Sequence, residues 1–291
     1  MHAHKPSRTA RLTAAHRAYE SLKSADERIC YDLFAEKFLE DNWNPLGGFP
    51  LPRAISFWLF ELASPGWNGY FVARTRFIDE ALQANLNRGL QQLVIMGAGY
   101  DSRAYRFEQQ LKDSVSVFEV DHPATQIFKL TKLKEIFGVQ PKHVQFVPVD
   151  FSTDSLQRRL SESGFDPNRR TMFIWEGVSM YLPADAVEKT LTFVAHSFKG
   201  NWLVFDYTFP AVIDGTYADR SATVWRKAAK RYGEELLFGV EEGGIQMFLG
   251  RRGFSLIETA NHQSLKQRYF KGANESRIVS PAIELVHAQV E

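Results

Sequence analysis

The chain predicts an α/β fold, a doubly wound and mostly parallel sheet preceded by a helical cap, and three observations lead there. Short apolar runs at 93–96, 115–120, 144–149, 171–175 and 202–207 alternate with helical patterns. Runs without polar alternation belong to strands buried on both faces, the mark of a parallel sheet. Residues 9–86 contain no period-two stretch, so the sheet begins after them. Finally, 291 residues at 44% hydrophobic and 24% charged are enough to bury one full core with an appended cap.

The preface predicts helices at about 9–25, 30–40, 53–62 and 70–86, broken by NPLGGFPLP and SPGWNG. We divide the chain into a cap, 1–86, and a core, 87–291. Within the core, 209–245 is too long for a simple connection and rich in aromatics, and is read as a helical lid insertion. The tail offers GRRGFSLIETA and RIVSPAIELVHAQV, two strand candidates with no convincing helix between them. They predict a closing antiparallel pair, which brings the sheet to seven strands.

Composition narrows the partners. Net charge is +1, with 35 basic and 34 acidic residues spread along the chain, which argues against nucleic acid and for a small molecule. The single cysteine, Cys30, excludes an internal disulfide and a CxxC metal site, and agrees with a reducing compartment; no metal is expected. There is no apolar run near 18 residues, and the polar start lacks the hydrophobic core of a secretory signal, so no membrane is expected and the cytoplasm is the expected location.

Ligands of an open parallel sheet lie beyond the carboxyl ends of its strands. Here those ends carry Gly97, Ala98, Gly99, Tyr100 and Asp101; Glu119 to Asp121; Asp150 with Phe151; Glu176 with Tyr181; and Asp206 with Tyr207. Gly97 and Gly99 suit a sharp turn whose backbone touches a ligand. Glu119 and Asp121 follow Gly97 by 22 and 24 residues, about where a ribose-binding acid is expected. A single such Asp can equally cap the next helix, but five acidic strand ends together point to a pocket.

A dinucleotide site generally wants GxGxxG with a helix amino terminus facing pyrophosphate. GAGYDSR lacks the third glycine, places Arg103 near that position, and brings Asp101 where pyrophosphate would be repelled. S-adenosylmethionine has no phosphate, and its ammonium and sulfonium groups suit an acid-lined cleft. Its carboxylate needs a cation. Arg74 and Arg76 are the candidates; they lie about 200° apart on a helix, so one points inward, and Arg74 is favoured.

These residues resemble the leucine carboxyl methyltransferase superfamily, especially its bacterial branch of S-adenosylmethionine-dependent methyltransferases, which includes polyketide carboxyl O-methyltransferases. VARTRFIDEAL, VIMGAGYDSRAYRF, FEVDHP, VPVDF, EGVSMYL and FGVEEGGIQMFLGRRGF carry the likeness in order, and CYDLFAEKFL resembles the family's amino-terminal helix segment. The resemblance implies the Rossmann-like fold of class I methyltransferases. By it, Arg74 would hold the cofactor carboxylate, Gly97 would meet the methionine part, Asp121 the ribose hydroxyls, and Asp150 with Phe151 the adenine. Glu176 would sit near the amino-acid end of the cofactor, and Tyr181 would face the substrate. The chain departs from the eukaryotic pattern at Phe151, where those enzymes have leucine, and has no secure match for their amino-terminal lysine.

Methyl transfer from a sulfonium is an in-line displacement that mainly requires alignment and exclusion of water. A carboxylate acceptor, with a solution pKa of about 4, needs no general base; a hydroxyl would call for one. His122, His143, His196 and His262 form no obvious catalytic pairing, and His122 reads as a turn residue. Trp43, Phe49, Trp58, Trp67, Tyr70, Phe71, Tyr207, Phe209, Tyr217 and Trp225 cluster in cap and lid. They serve either core packing or stacking on a flat acceptor. The expected function is O-methylation of a small-molecule carboxylate or hydroxyl. The rival readings are a protein C-terminal carboxyl methyltransferase, a non-catalytic S-adenosylmethionine-binding protein and an NAD-dependent oxidoreductase.

Overall fold

The computed structural model describes residues 8–39, 51–151 and 153–291; Trp43 and Phe49 lie outside them. Seven strands, β1 (Gln92–Met96), β2 (Ser116–Asp121), β3 (Val144–Pro148), β4 (Thr171–Trp175), β5 (Trp202–Thr208), β6 (Phe254–Ala260) and β7 (Ile283–Val290), form one sheet in the order β3-β2-β1-β4-β5-β7-β6. The first five pair in parallel. β7 runs antiparallel between β5 and β6. β1, β4 and β5 are buried at every position, as their unbroken apolar runs require, whereas the edge strands β3 and β6 expose part of theirs.

From β1 the chain winds outward through β2 to β3, then crosses back to β4 and β5 on the other side of β1. Right-handed crossovers place the two sets of connecting helices on opposite faces, so a crevice opens at the carboxyl ends of β1 and β4. That crevice fixes where Gly97 and Glu176 emerge. The helices of the core are α4 (Arg103–Arg106), α5 (Glu108–Leu111), α6 (Pro123–Phe137), α7 (Leu156–Glu162), α8 (Ala184–Ala195), α9 (Pro210–Asp214), α10 (Arg220–Tyr232), α11 (Ile245–Gly250) and α12 (His262–Tyr269).

The amino-terminal part supplies α1 (Arg8–Ser21), α2 (Arg53–Ala63) and α3 (Trp67–Leu86). Along α3, Trp67, Tyr70, Phe71, Arg74, Ile78, Ala81, Leu82 and Asn85 are all buried, a stripe at helical spacing that seats the cap on the sheet. Each large apolar side chain in it contributes about 1.5–3 kcal/mol.

Two expectations about elements are corrected. The helix expected over 30–40 is a turn followed by a single 3-10 turn, Glu36–Phe38, within the described residues. Asp32 is the reason: its Oδ1 accepts from the Phe34 and Ala35 amides at 3.1 and 3.0 Å, a local alternative to helical pairing. In the tail the antiparallel pair is present, but α12 stands between its strands, capped by Asn261, whose Oδ1 accepts from the Ser264 amide at 2.9 Å.

Candidate active site

At the mouth of β1 the chain turns through Gly97 and Gly99, both at positive φ (68° and 45°). A Cβ on Gly97 would lie 2.3 Å from Val178 Cγ2, so the loop after β4 closes directly on this glycine. The Gly97 and Ala98 amides donate to the Val120 carbonyl at 2.8 and 2.9 Å. The Gly99 amide donates to Asp121 Oδ2, and the His122 amide to Oδ1 at 2.6 Å. Asp121 thus holds the glycine turn while each oxygen keeps a lone pair for a further donor. Burial pushes its carboxyl above the usual range, against these two backbone bonds.

Strand β4 delivers Glu176, and the turn continues through Gly177 into the segment bearing Tyr181. Arg74 faces this point from α3: its guanidinium donates to Asp206 Oδ2 at 2.6 Å and pairs with Glu176 Oε1 at 2.9 Å. Arg76 points the other way, to Glu80 on the surface. Asp206 Oδ1 accepts the Gly177 amide at 2.6 Å, and Oδ2 also accepts the Tyr70 hydroxyl at 2.9 Å. Burial acts to raise the Glu176 carboxyl, but Arg74 and then Arg103 outweigh it and hold it at about 2. Arg103 donates to Glu176 Oε2 at 2.6 Å and Asp79 Oδ1 at 2.7 Å, and also pairs with Asp101. Arg106 takes Asp79 in a forked pair at 2.7 and 3.0 Å.

The lattice runs on to the cap, where Asp32 accepts from Arg17 at 2.8 Å and Ser102 at 2.7 Å, and Arg17 reaches the Tyr100 carbonyl of the glycine turn. Arg17, Arg74, Arg103 and Arg106 therefore stand among Asp32, Asp79, Asp101, Glu176 and Asp206, one carboxylate in excess, and Asp121 adds another. Such an excess favours a cationic ligand over an anionic one. Arg74 Nε is buried with no acceptor, an N–H still available to a carboxylate.

Not every expected site residue opens on the crevice. Gly97, Asp121, Asp150, Phe151, Glu176 and Tyr181 are half-buried and lie at or after the carboxyl ends of β1 to β4. Glu119 is not among them: it is 1% exposed, ion-paired with Lys129 at 2.7 Å and bonded to the Tyr105 hydroxyl at 2.9 Å. Asp101 is also turned inward, capping the Arg103 amide at 2.7 Å, while its carbonyl takes Lys129 Nζ at 2.7 Å. Ala98 is buried, its amide already spent on β2. Asp150 keeps 40% of its side chain exposed beside His122, with Nε2 at 3.9 Å. Sequence reasoning did not assign roles to Asp32, Asp79 or Arg17 and read Tyr70 only as packing or stacking surface; the partners that reveal these roles lie 15 to 136 residues away and meet only in the fold.

A seven-stranded sheet with this strand order is the Rossmann-like arrangement of the class I methyltransferases. A solved DUF574-family protein from Streptomyces avermitilis shares the fold with a TM-score of 0.62 over 98% of each chain, at 11% identity. A candidate methyltransferase from Thermobifida fusca does so at 0.60, covering 99% of this chain and 96% of that one at 14% identity. The model of the leucine carboxyl methyltransferase family matches residues 10–195, and the chain belongs to that family. It is 28% identical over 292 residues to YktD of Bacillus subtilis, a candidate S-adenosyl-L-methionine-dependent methyltransferase, with 94% of this chain and 93% of the relative covered. A relative from Mycobacterium sp. strain KMS with the same kind of name is 31% identical over 265 residues, covering 87% and 83%. The chain is thus an S-adenosylmethionine-dependent methyltransferase, with S-adenosylmethionine as methyl donor.

Proposed function

We propose that the chain transfers the methyl group to a carboxylate of a small molecule. When bound, S-adenosylmethionine supplies an electrophilic methyl on a sulfonium whose leaving group is a neutral thioether. Arg74 would hold its carboxylate through the unspent N–H groups, Asp121 the ribose, and Asp150 with Phe151 the adenine. The surplus of carboxylates favours the cationic centre.

The observation that carries the choice of acceptor is the hydrogen-bond geometry of the polar groups at the strand ends. His122 accepts the Ala124 amide at Nδ1, 3.3 Å away, so in the neutral ring Nε2 carries the hydrogen and is a donor. Burial first, then the Glu234 carboxylate, pushes the Tyr181 phenol far above its usual range, so it too is a donor. Two donors suit an acceptor that is already an oxygen anion and needs no base.

The test offers the protein methyl-labelled S-adenosylmethionine with a panel of small carboxylic acids, phenols and a free-carboxyl peptide. The expected product is a methyl ester on a small acid, which releases labelled methanol in mild alkali. Alkali-stable label on a phenol would refute carboxylate methylation, and label on the peptide alone would move the acceptor to a protein C-terminus.

A further inference from the structure

Cap, core and lid meet in one aromatic corner beside Arg74. Trp67 of α3 donates its indole N–H to the Ser221 carbonyl of α10 at 3.1 Å, and its ring lies 4.7 Å from Trp225 at 63°. Trp225 of α10 donates its own indole N–H to the Tyr181 hydroxyl oxygen at 3.1 Å, ring perpendicular to ring at 90°. Trp67 also meets Tyr70 edge-on at 5.8 Å, and Tyr70 bonds the Asp206 oxygen that holds Arg74. Trp67 and Tyr70 are buried, at 5% and 0% exposure, while Trp225 and Tyr181 are half-buried. The first two are a rigid backing; the second two present ring surface.

The hydrogen bond between them sets a direction. Because Tyr181 Oη accepts from the indole, its own hydrogen must point away from Trp225, toward an acceptor outside that pair. The lid is tied so that this arrangement holds: the Leu237 and Phe238 amides donate to the Met180 carbonyl at 2.8 and 3.3 Å, next to Tyr181, and the Val240 amide to the Thr208 carbonyl at 2.9 Å. A flat ring against the indole and an acceptor oxygen on the Tyr181 hydrogen would engage both groups at once.

We propose that the methyl acceptor is an aromatic carboxylate, its ring packed on Trp225 and its carboxylate oxygen bonded by the Tyr181 hydroxyl that Trp225 aims. This rests on the carboxylate reading above and names the class of acid and the residues that select it. Trp225 acts in two ways, by contact with the ring and through Tyr181.

The experiment uses the full chain saturated with S-adenosylhomocysteine, with benzoate as probe and benzyl alcohol as its uncharged counterpart, by calorimetry and saturation-transfer NMR. Wild type is expected to bind benzoate. Tyr181→Phe keeps the ring and loses the donor, and should weaken benzoate about tenfold while leaving benzyl alcohol and S-adenosylhomocysteine unchanged. Trp225→Phe keeps a ring and loses the indole N–H, and should weaken benzoate severalfold. In the double variant the loss should match Tyr181→Phe alone within about twofold, because the indole bond acts through the hydroxyl; a merely structural role would give multiplied losses. Binding of S-adenosylhomocysteine without benzoate, an unaffected Tyr181→Phe, or multiplied losses would each overturn the proposal. Failure to bind S-adenosylhomocysteine would remove the donor reading and this inference with it.

Discussion

Arg74 shows how one side chain can belong to both the fold and the ligand site. Its guanidinium pairs with buried Asp206 and, together with Arg103, with Glu176 before any ligand arrives. Truncation to Ala would therefore leave buried Asp206 without its cation and Glu176 with Arg103 alone, and cost about 3–5 kcal/mol of stability, which confounds any binding measurement. Asp121 is the cleaner probe, since its bonds are to backbone amides that an Asn carbonyl can partly keep. Asp121→Asn should weaken S-adenosylhomocysteine by about 1.5–3 kcal/mol, the range for a hydrogen bond to a charged group. The same residue gives a pH signature. Its carboxyl is raised by burial, so it takes up a proton above the ordinary Asp range, while Glu176 at about 2 stays ionised. Affinity should fall on acidification in wild type and stay flat in Asp121→Asn over the same interval; parallel calorimetric profiles for the two would rule out Asp121 as the ribose acceptor.

Elements were legible where a single local pattern dictated them. The unbroken apolar runs gave β1, β4 and β5, and the glycine turn was visible because sterics at positive φ leave few alternatives. The turn at Asp32 was not, because nothing near it in sequence announces that its carboxylate is claimed by Arg17 and Ser102. The inward rotation of Glu119 escaped for the same reason: its partner Lys129 sits on α6, and only the folded register joins them. The contact between the turns after β1 and β4 is a feature of elements rather than residues. Gly97→Ala pushes a methyl into Val178 Cγ2 and forces an L-residue to a φ of 68°. The second effect costs about 1–2 kcal/mol by itself. Gly97→Ala should thus lower both the melting temperature and donor affinity, and Val178→Ala in the same chain should restore part but not all of the loss. Full restoration in thermal melts would show that the backbone conformation costs nothing there; none at all would show that the side-chain clash is not what matters.

At the scale of the whole molecule, the interior holds charge in lattices and histidine in the neutral form. His16 is fully buried among Phe57, Phe60 and Phe71, and accepts from Asn68, whose amide is oriented because its oxygen takes Arg277 at 2.7 Å. Burial lowers its pKa to about 3, and burial likewise lowers His287, which faces Asn85 of α3 from β7, to about 4. Both folded values lie below the unfolded value near 6.5, so the unfolded chain binds more protons throughout that interval. The stability these rings contribute is complete above about pH 6.5 and is lost as pH falls toward the folded values. In the steep part of the window each histidine contributes a slope of about 1.4 kcal/mol per pH unit. The paired carboxylates add to the loss only later: Glu20, Asp32 and Glu176, held below the usual range by the arginines beside them, begin to matter as pH drops through the ordinary carboxylate range. Urea unfolding at pH 7, 6 and 5 should accordingly show falling stability before the arginine-paired carboxylates titrate. His287→Gln should remove one histidine's share of that slope while leaving the loss below pH 4.5 in place. A flat profile from pH 7 to 5, or an unchanged slope in the variant, would mean that these rings are not held neutral by the fold.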